Sequence, residues 1–481
     1  MRRTPLPRTA ARRAAAVGLA VAAAVALAAG PSSAGSPAAP TAARWLGAAD
    51  GWAATNGGTV GGADAPRESY YVVSSRAELI AAAANGGHPD DPKVIMVRGT
   101  IDGNEAADGH LLGEQDYAPG YDIEKYMSCF ADGTTWSDTT FPYCKEQRQL
   151  RTTGSNKEKA QIQITLPSNT SLIGLGKDAT LSSVFLSVNR GHDITVRNLA
   201  LESPVDWFTS WDPTDGANGN WNGRFKAMGV VTGTNIWVDH CTFSDGAYPD
   251  DEAPTGFQGR TIQRHDGLLD IEDGSDFITV SYSQFLGHDK TMLIGSGDSH
   301  ADRDAGHLKI TYHHNLFKNA LERSPRVRFG AVHTYNNLFQ GAVDDPHFPM
   351  LSQALGGPAY FLGTGYQSKI YSEYNDVEYT GPGATNDIAI MNFGGNQFVD
   401  HGSWFNGRPT DLNTLAAQKF DAAKAAALES AAATGTAAPD WTALDFTTDV
   451  GWSPAHEYKY HALTSPAAVR AVVLAQAGAG R

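Results

Sequence analysis

The sequence predicts an all-β chain wound as a parallel β-helix, and three observations carry that expectation. Six segments share one eight-residue pattern. They open on a β-branched residue (Ile194, Ile236, Ile278, Ile310, Val332, Ile370) and close seven positions later on Leu201, Phe243, Phe285, Phe317, Phe339 and Val377. Their sixth positions read Leu199, Cys241, Ser283, Asn315, Asn337 and Asn375. Amides at one turn of successive coils can hydrogen-bond to each other inside a solenoid. The segments start 42, 42, 32, 22 and 38 residues apart, so the shortest interval is one bare coil and the longer ones carry loops. A β-sandwich also spaces its strands regularly, but it would place hairpin turns every 8–12 residues or so and leave the amide register unexplained. A solenoid grows by adding coils, so a single domain of this length becomes reasonable.

In chain order, residues 1–34 read as a secretory signal. Arg2, Arg3, Arg8, Arg12 and Arg13 precede an Ala/Val/Leu run over 14–29, and small residues follow at a plausible cleavage point. That run is short for a membrane span, and no later segment offers one. A secreted, soluble, extracellular protein is expected, by the general or the twin-arginine route. Residues 35–43 read as a Pro/Ala/Ser linker, and 44–481 as one domain. Cys129 and Cys144 flank a short polar loop, where a disulfide could contribute about 3 kcal/mol. Cys241 sits in an apolar stretch and reads as a buried thiol, and three cysteines so spaced make no zinc site. The Ala-rich stretch 415–433 predicts a helix, as does 465–475 with Pro466 in its first turn. Either could cap an open end of the solenoid.

The chain is acidic, with formal net charge −15, and all five charged residues of segment 1–34 are arginines. A nucleic-acid surface is therefore not expected. Yet Arg323, Arg326 and Arg328 fall within six positions, which suggests a local anion site. The competing reading is that the Arg-X-Arg alternation puts two side chains on the solvated face of a strand.

Several motifs then occur together: 211–223, Ile236-Trp237-Val238-Asp239-His240, His265-Asp266-Gly267, His288-Asp289-Lys290 and Arg323-Ser324-Pro325-Arg326-Val327-Arg328. With Gly57–Gly62 near the start and Gly451–Pro454 near the end, the chain resembles the extracellular pectate lyases of polysaccharide lyase family 1 over nearly its whole mature length. The resemblance implies a single-stranded right-handed parallel β-helix with a loop-built cleft. It implies β-elimination of α-1,4-polygalacturonate, usually with calcium, by a monomer that needs no nucleic acid or membrane. Arg323 matches the proton-abstracting arginine. Because arginine is a poor base, positive charge from Lys290, Arg328 and calcium is expected to lower its pKa. Lys290 and Arg328 match the residues that bind substrate carboxylates, with Arg328 able to do so bidentately. Asp266 and Asp270 match calcium ligands, hard oxygens of the kind Ca²⁺ takes, with Glu272 and Asp273 close behind.

One position departs from that pattern. After Asn220-Trp221-Asn222 the family usually places a calcium-binding aspartate, whereas this chain has Lys226. The site could be weakened, Lys226 could take the cation's role, or Asp206, Asp212 or Asp215 could supply a replacement ligand. A pectin lyase acting on methyl esters and a non-catalytic carbohydrate-binding β-helix are the alternative functions. A glycoside hydrolase on the same scaffold would need two placed carboxylates, and no such paired-aspartate motif appears. Trp237, Asp239 and His240 read as structural, Asp250-Asp251 and Asp344-Asp345 as solvated charge, and His313-His314 as neighbours facing opposite sides of a strand.

Overall fold

Each repeated segment forms two short strands joined through one residue in the left-handed region. The corner residues are Asn198, His240, Tyr282, His314, Asn336 and Tyr374, with φ between 44 and 56°. Asparagine tolerates this conformation, but for histidine and tyrosine it costs about 1 kcal/mol, so the stack around the corner must impose it. In the computed structural model, which describes residues 47–131, 133–215, 219–347 and 359–481, the coils stack in parallel. The signal 1–34, the linker 35–43 and residues 44–46 lie outside the described residues.

The register follows the repeat residue for residue. Ile194, Ile236, Ile278, Ile310, Val332 and Ile370 pair in succession. The closing residues Leu201, Phe243, Phe285, Phe317, Phe339 and Val377 do the same. These strands make two faces of one 18-stranded sheet, and an 8-stranded parallel sheet makes the third face. Inside, the rings of Phe243, Phe285, Phe317 and Phe339 stack at 4.9–5.0 Å with planes 7–11° apart. Beside them runs the amide ladder. Asn315 donates to Asn337 and Asn337 to Asn375, each at 3.0 Å, so that buried polar groups satisfy one another.

Asn337 also donates to the Tyr312 carbonyl at 3.0 Å and accepts from the Asn315 backbone at 3.0 Å. Asn337→Ala should therefore strand several buried groups and cost about 2–3 kcal/mol. Denaturant titration checks this: the midpoint should fall at unchanged slope, and an unchanged midpoint would deny the ladder any part in stability.

Among the described residues, the four longer helices flank the coils. Helix α1 (Arg76–Ala84), its first turn capped by Ser75 accepting from the Glu78 amide, packs on the opening strands Tyr70–Val73 and Lys93–Asp102. Helix α2 (Cys144–Ile162) was not foreseen, because its exterior is polar and shows no apolar stripe. It starts at Cys144, which is bonded to Cys129, so the suspected disulfide is present. Helix α3 (Leu412–Thr434) covers the last coil at Ile390–Phe393 and Gln397–His401, as a cap should. Helix α4 (Pro466–Gln476) does not cap an end. Val469 and Val473 pack with Leu316, Leu338 and Trp404, so this helix lies along the flank of the stack. Cys241 is buried as expected, and burial pushes its thiol up to about 12.

Candidate active site

Side chains alternate across a strand, so a residue next to a core position points outward. On the third sheet Ile271, Ile294 and Val327 are core residues paired in succession. Their neighbours Asp270, Leu293 and Arg326 therefore form an outward row across three coils. The expected site residues gather along this row and on the loops that enter it.

Two loops are tied together at its edge. The Asp266 amide donates to the Phe225 carbonyl at 3.0 Å, and the Met228 amide to the Leu268 carbonyl at 2.9 Å. The approach is close enough to demand glycine: a Cβ on Gly223 would lie 2.6–2.9 Å from the His265 backbone, and one on Gly267 would meet the Asp270 carboxylate at 2.4–2.7 Å. This pairing carries Lys226 into a nest of acids. Its Nζ lies 2.7 Å from Asp270 Oδ2, 3.4 Å from Glu272 Oε1 and 3.6 Å from Asp266 Oδ2. Burial opposes the ammonium, but the carboxylates of Asp270, Asp266 and Glu272 outweigh it and hold the Lys226 pKa above its ordinary value. Glu272 is itself pushed up by burial, against the pull of Lys226. The sequence places Glu272 close behind Asp266 and Asp270 but does not show that it shares Lys226 with them.

The spare aspartates near Lys226 are engaged elsewhere. Asp206 accepts from the amides of Phe208 and Arg224 at 2.8 and 2.9 Å, and burial raises it to about 6. Asp212 accepts from Thr214, and Asp215 from Asn222.

Lys290 ends the strand Gln284–Lys290, is buried, and donates to Asn222 Oδ1 at 3.1 Å. It pairs in register with Glu322, so Arg323 follows directly beside it. Arg323 sits at φ 63°, and its Nε lies 2.9 Å from Glu322 Oε1 without the alignment of a hydrogen bond. Burial acts to lower its pKa, but Glu322, then Tyr360, Asp266 and Asp270, reverse that and hold the guanidinium above its ordinary value. The direction is opposite to the one expected from Lys290 and Arg328, because the charge nearest Arg323 is an acid. Arg328 is partly committed as well, through Nε to Asp298 at 2.6 Å and Nη1 to the Gly295 carbonyl at 3.1 Å. Arg326 stacks on Phe393, 3.8 Å from the ring centre, and reads as a structural member of the trio.

A buried brace holds Asp266 in place. His288 Nε2 is 2.7 Å from the Asp266 carbonyl and Nδ1 is 2.6 Å from Asp245 Oδ1. Burial disfavours an imidazolium there, yet the Asp245 carboxylate wins and raises His288 to about 10. Asp250 lies in the same pocket at 1% exposure, which corrects its reading as solvated charge. Asp245, Asp250 and His288 have metal-compatible spacing, as do Asp273, His300 and Asp304. Far from all this, His313 and His314 do not face apart. His314 occupies a left-handed corner, which turns its Nδ1 to 2.9 Å from that of His313.

Beside Asn222 the row opens into a concavity of about 370 Å³ lined by Arg151, Asn156, Asp206 and Arg224, with α2 forming one wall. A roomier one of about 710 Å³, around Lys318, Glu378 and Arg470, contains none of the expected site residues. An open row suits a polymer better than an enclosed cavity does.

The chain has clear relatives among known proteins. A family model described as pectate lyase matches residues 148–481. The chain is 35% identical over 449 residues to a pectate lyase of Bacillus subtilis (strain 168), which spans 93% of this chain and 96% of that one. It is 35% identical to pectate lyase D of Dickeya chrysanthemi, over 78% of this chain and 82% of the relative. Among solved structures, a pectate lyase bound to hexasaccharide superposes with a TM-score of 0.78 at 33% identity, over 92% of this chain and 99% of that one. With this fold and these likenesses, the chain belongs to the pectate lyase family of polysaccharide lyases.

Proposed function

We propose that the chain cleaves polygalacturonate by β-elimination, with Arg323 as the base and Lys290 and Arg328 binding the uronate carboxylates. The observation that carries this reading is the site row itself, where Lys226 stands among Asp266, Asp270 and Glu272, and Lys290, donating to Asn222, lies in register with Glu322, the residue just before Arg323. The relatives support it: one solved neighbour, at TM-score 0.75 and 34% identity, is described by the anti β-elimination mechanism of pectate lyase.

In the reaction, a neutral Arg323 guanidine takes the C5 proton. The C–H electron pair becomes the C4=C5 double bond, the C4–O4 bond breaks, and O4 departs with the C4–O4 bonding pair and takes a proton from water, leaving hydroxide. Arg323 then returns its proton to solvent. Two features of the chain lower the barrier. Lys290 pairs with the uronate and stabilises the enolate-like charge as it develops. A sugar lying over Arg323 excludes water, which deepens the desolvation favouring the neutral base. The signal-like segment 1–34 supports secretion, and among the described residues no helix is long and apolar enough to cross a membrane. We take the working form to be a monomer whose partner is pectic polysaccharide.

Ultraviolet absorbance during incubation with polygalacturonate tests the reaction, since only elimination creates the conjugated double bond. A hydrolase would release reducing ends without that signal, and a binding module would release neither. The ligand roles have a separate test. Lys290→Ala and Arg328→Ala should raise KM for polygalacturonate about tenfold or more and change turnover of highly methylated pectin far less, because an ester carries no charge to pair with. Equal losses on both substrates would favour the pectin-lyase reading.

The calcium expected from the resemblance does not fit the described geometry. An ion held by Asp270 and Asp266 would sit about 2.3–2.6 Å from their oxygens, inside the space that the Lys226 ammonium occupies. Asp270 is engaged on both sides, since its Oδ1 accepts from the Leu293 amide at 2.7 Å.

A further inference from the structure

We infer that Lys226 is the resident cation of this site, a fixed ammonium that offsets part of the acidic nest's charge and meets the substrate carboxylate without calcium. The inference rests on the elimination reading above and names the group that balances charge in it.

Three observations converge on this role. The first is position. Nζ is within ion-pair distance of all three carboxylates, closest to Asp270 at 2.7 Å, and it is where a bridging cation would have to lie. The second is construction. The Lys226 side chain is only 15% exposed, and the Asp270 side chain against it only 3%. The lysine stem crosses Gly229, where a Cβ would lie 3.7 Å from Lys226 Cδ and 3.1 Å from the Phe185 ring. A surface lysine that had drifted onto an acidic patch would not be housed in this way. The third is spare capacity. An ammonium has three donors. Asp270 takes one at close range and Glu272 holds another loosely at 3.4 Å, whereas Asp266 at 3.6 Å is beyond hydrogen-bond reach. Donor capacity therefore remains for an arriving uronate.

The charge balance has a consequence for substrate. Three carboxylates around one ammonium leave the nest negative overall, so an incoming carboxylate must face Nζ itself. A fixed point charge pairs with a single carboxylate, whereas a divalent ion coordinates six to eight or so oxygens and can bridge several. This site should therefore tolerate scattered methyl esters better than one that assembles several carboxylates around a metal.

The test uses the mature enzyme, polygalacturonate, calcium chloride and excess chelator. Wild type should keep its rate of unsaturated-product formation within about twofold in chelator, and calorimetry of Ca²⁺ into substrate-free enzyme should show no heat assignable to this nest. Lys226→Asp should reverse both results. Its chelator-resistant rate should fall about a hundredfold or more, calcium should restore part of it, and the free variant should bind Ca²⁺. Lys226→Arg should keep part of the chelator-resistant rate, which a purely structural lysine would not explain. Two results would overturn the inference: loss of wild-type activity in chelator with recovery on calcium, or Ca²⁺ binding to free wild type that Asp266→Asn abolishes. If no unsaturated product forms at any calcium concentration, the elimination reading fails, and the calorimetry alone then decides whether Lys226 fills the cation site.

Discussion

Replacing Arg323 with alanine is expected to lower kcat for elimination by at least about a hundredfold while leaving KM nearly unchanged, because proton abstraction belongs to the transition state. The substitution also removes the ion pair with Glu322 at 2.9 Å, so circular dichroism must show a folded variant before its kinetics are read. Arg323→Lys should be nearly as inactive, because a point ammonium cannot reproduce the guanidine's reach. The wild-type rate should also climb with pH on the alkaline side. In the free protein Glu322 and its neighbours hold the guanidinium protonated, so each unit of pH below its pKa multiplies the neutral fraction about tenfold. A folded alanine variant that kept more than about a tenth of the wild-type kcat would show that the base lies elsewhere.

The second large effect is on stability. His288→Ala leaves Asp245 buried without its partner and frees the Asp266 carbonyl, so a loss of about 3–5 kcal/mol is expected. Asp245, Asp250 and Asp289 are the acids that act on the ring, Asp250 and Asp289 being raised by burial, with His265 edge-on at 6.3 Å. The sign with pH follows from the shift. His288 is raised from 6.5 to about 10, so its contribution is fully present below about 6.5 and fades as pH rises through about 10. Asp245 is shifted the other way, so its share is present above the ordinary carboxylate value and is lost only in stronger acid. Denaturation at pH 7 and above 10 checks this, since the gap between wild type and variant should narrow at the higher pH. A constant gap would mean that the imidazole contributes by packing rather than by charge.

What was legible in the sequence followed from what repeats. The first two faces could be read because a β-branched residue, an amide and an apolar residue recur at fixed offsets, and coil stacking converts offsets directly into register. The third face was not legible, because strands as short as Leu293–Ile294 and Arg326–Val327 carry no period of their own. Corners built from His240, Tyr282 and His314 show no turn chemistry, since the stack and not the residue selects their conformation. At the site, individual residues could be named but their partners could not. Lys226 was visible as a departure, yet only the pairing of 225–228 with 265–268 places it among Asp266, Asp270 and Glu272. Asp250 looked solvated because nothing in an acidic loop announces that it will be buried beside His288, 38 residues away.

The stretch that carries the proposed site residues spans the third to sixth of the eight strands of its sheet, from Met228–Val231 to Arg326–Val327, with two strands on either side. In a solenoid each coil rests only on its neighbours, so opening starts where a neighbour is missing and advances inward. The outer coils therefore act as a margin of wear. Heat or a protease can erode the tips of the stack before the chemistry notices, and activity should outlast the first loss of structure.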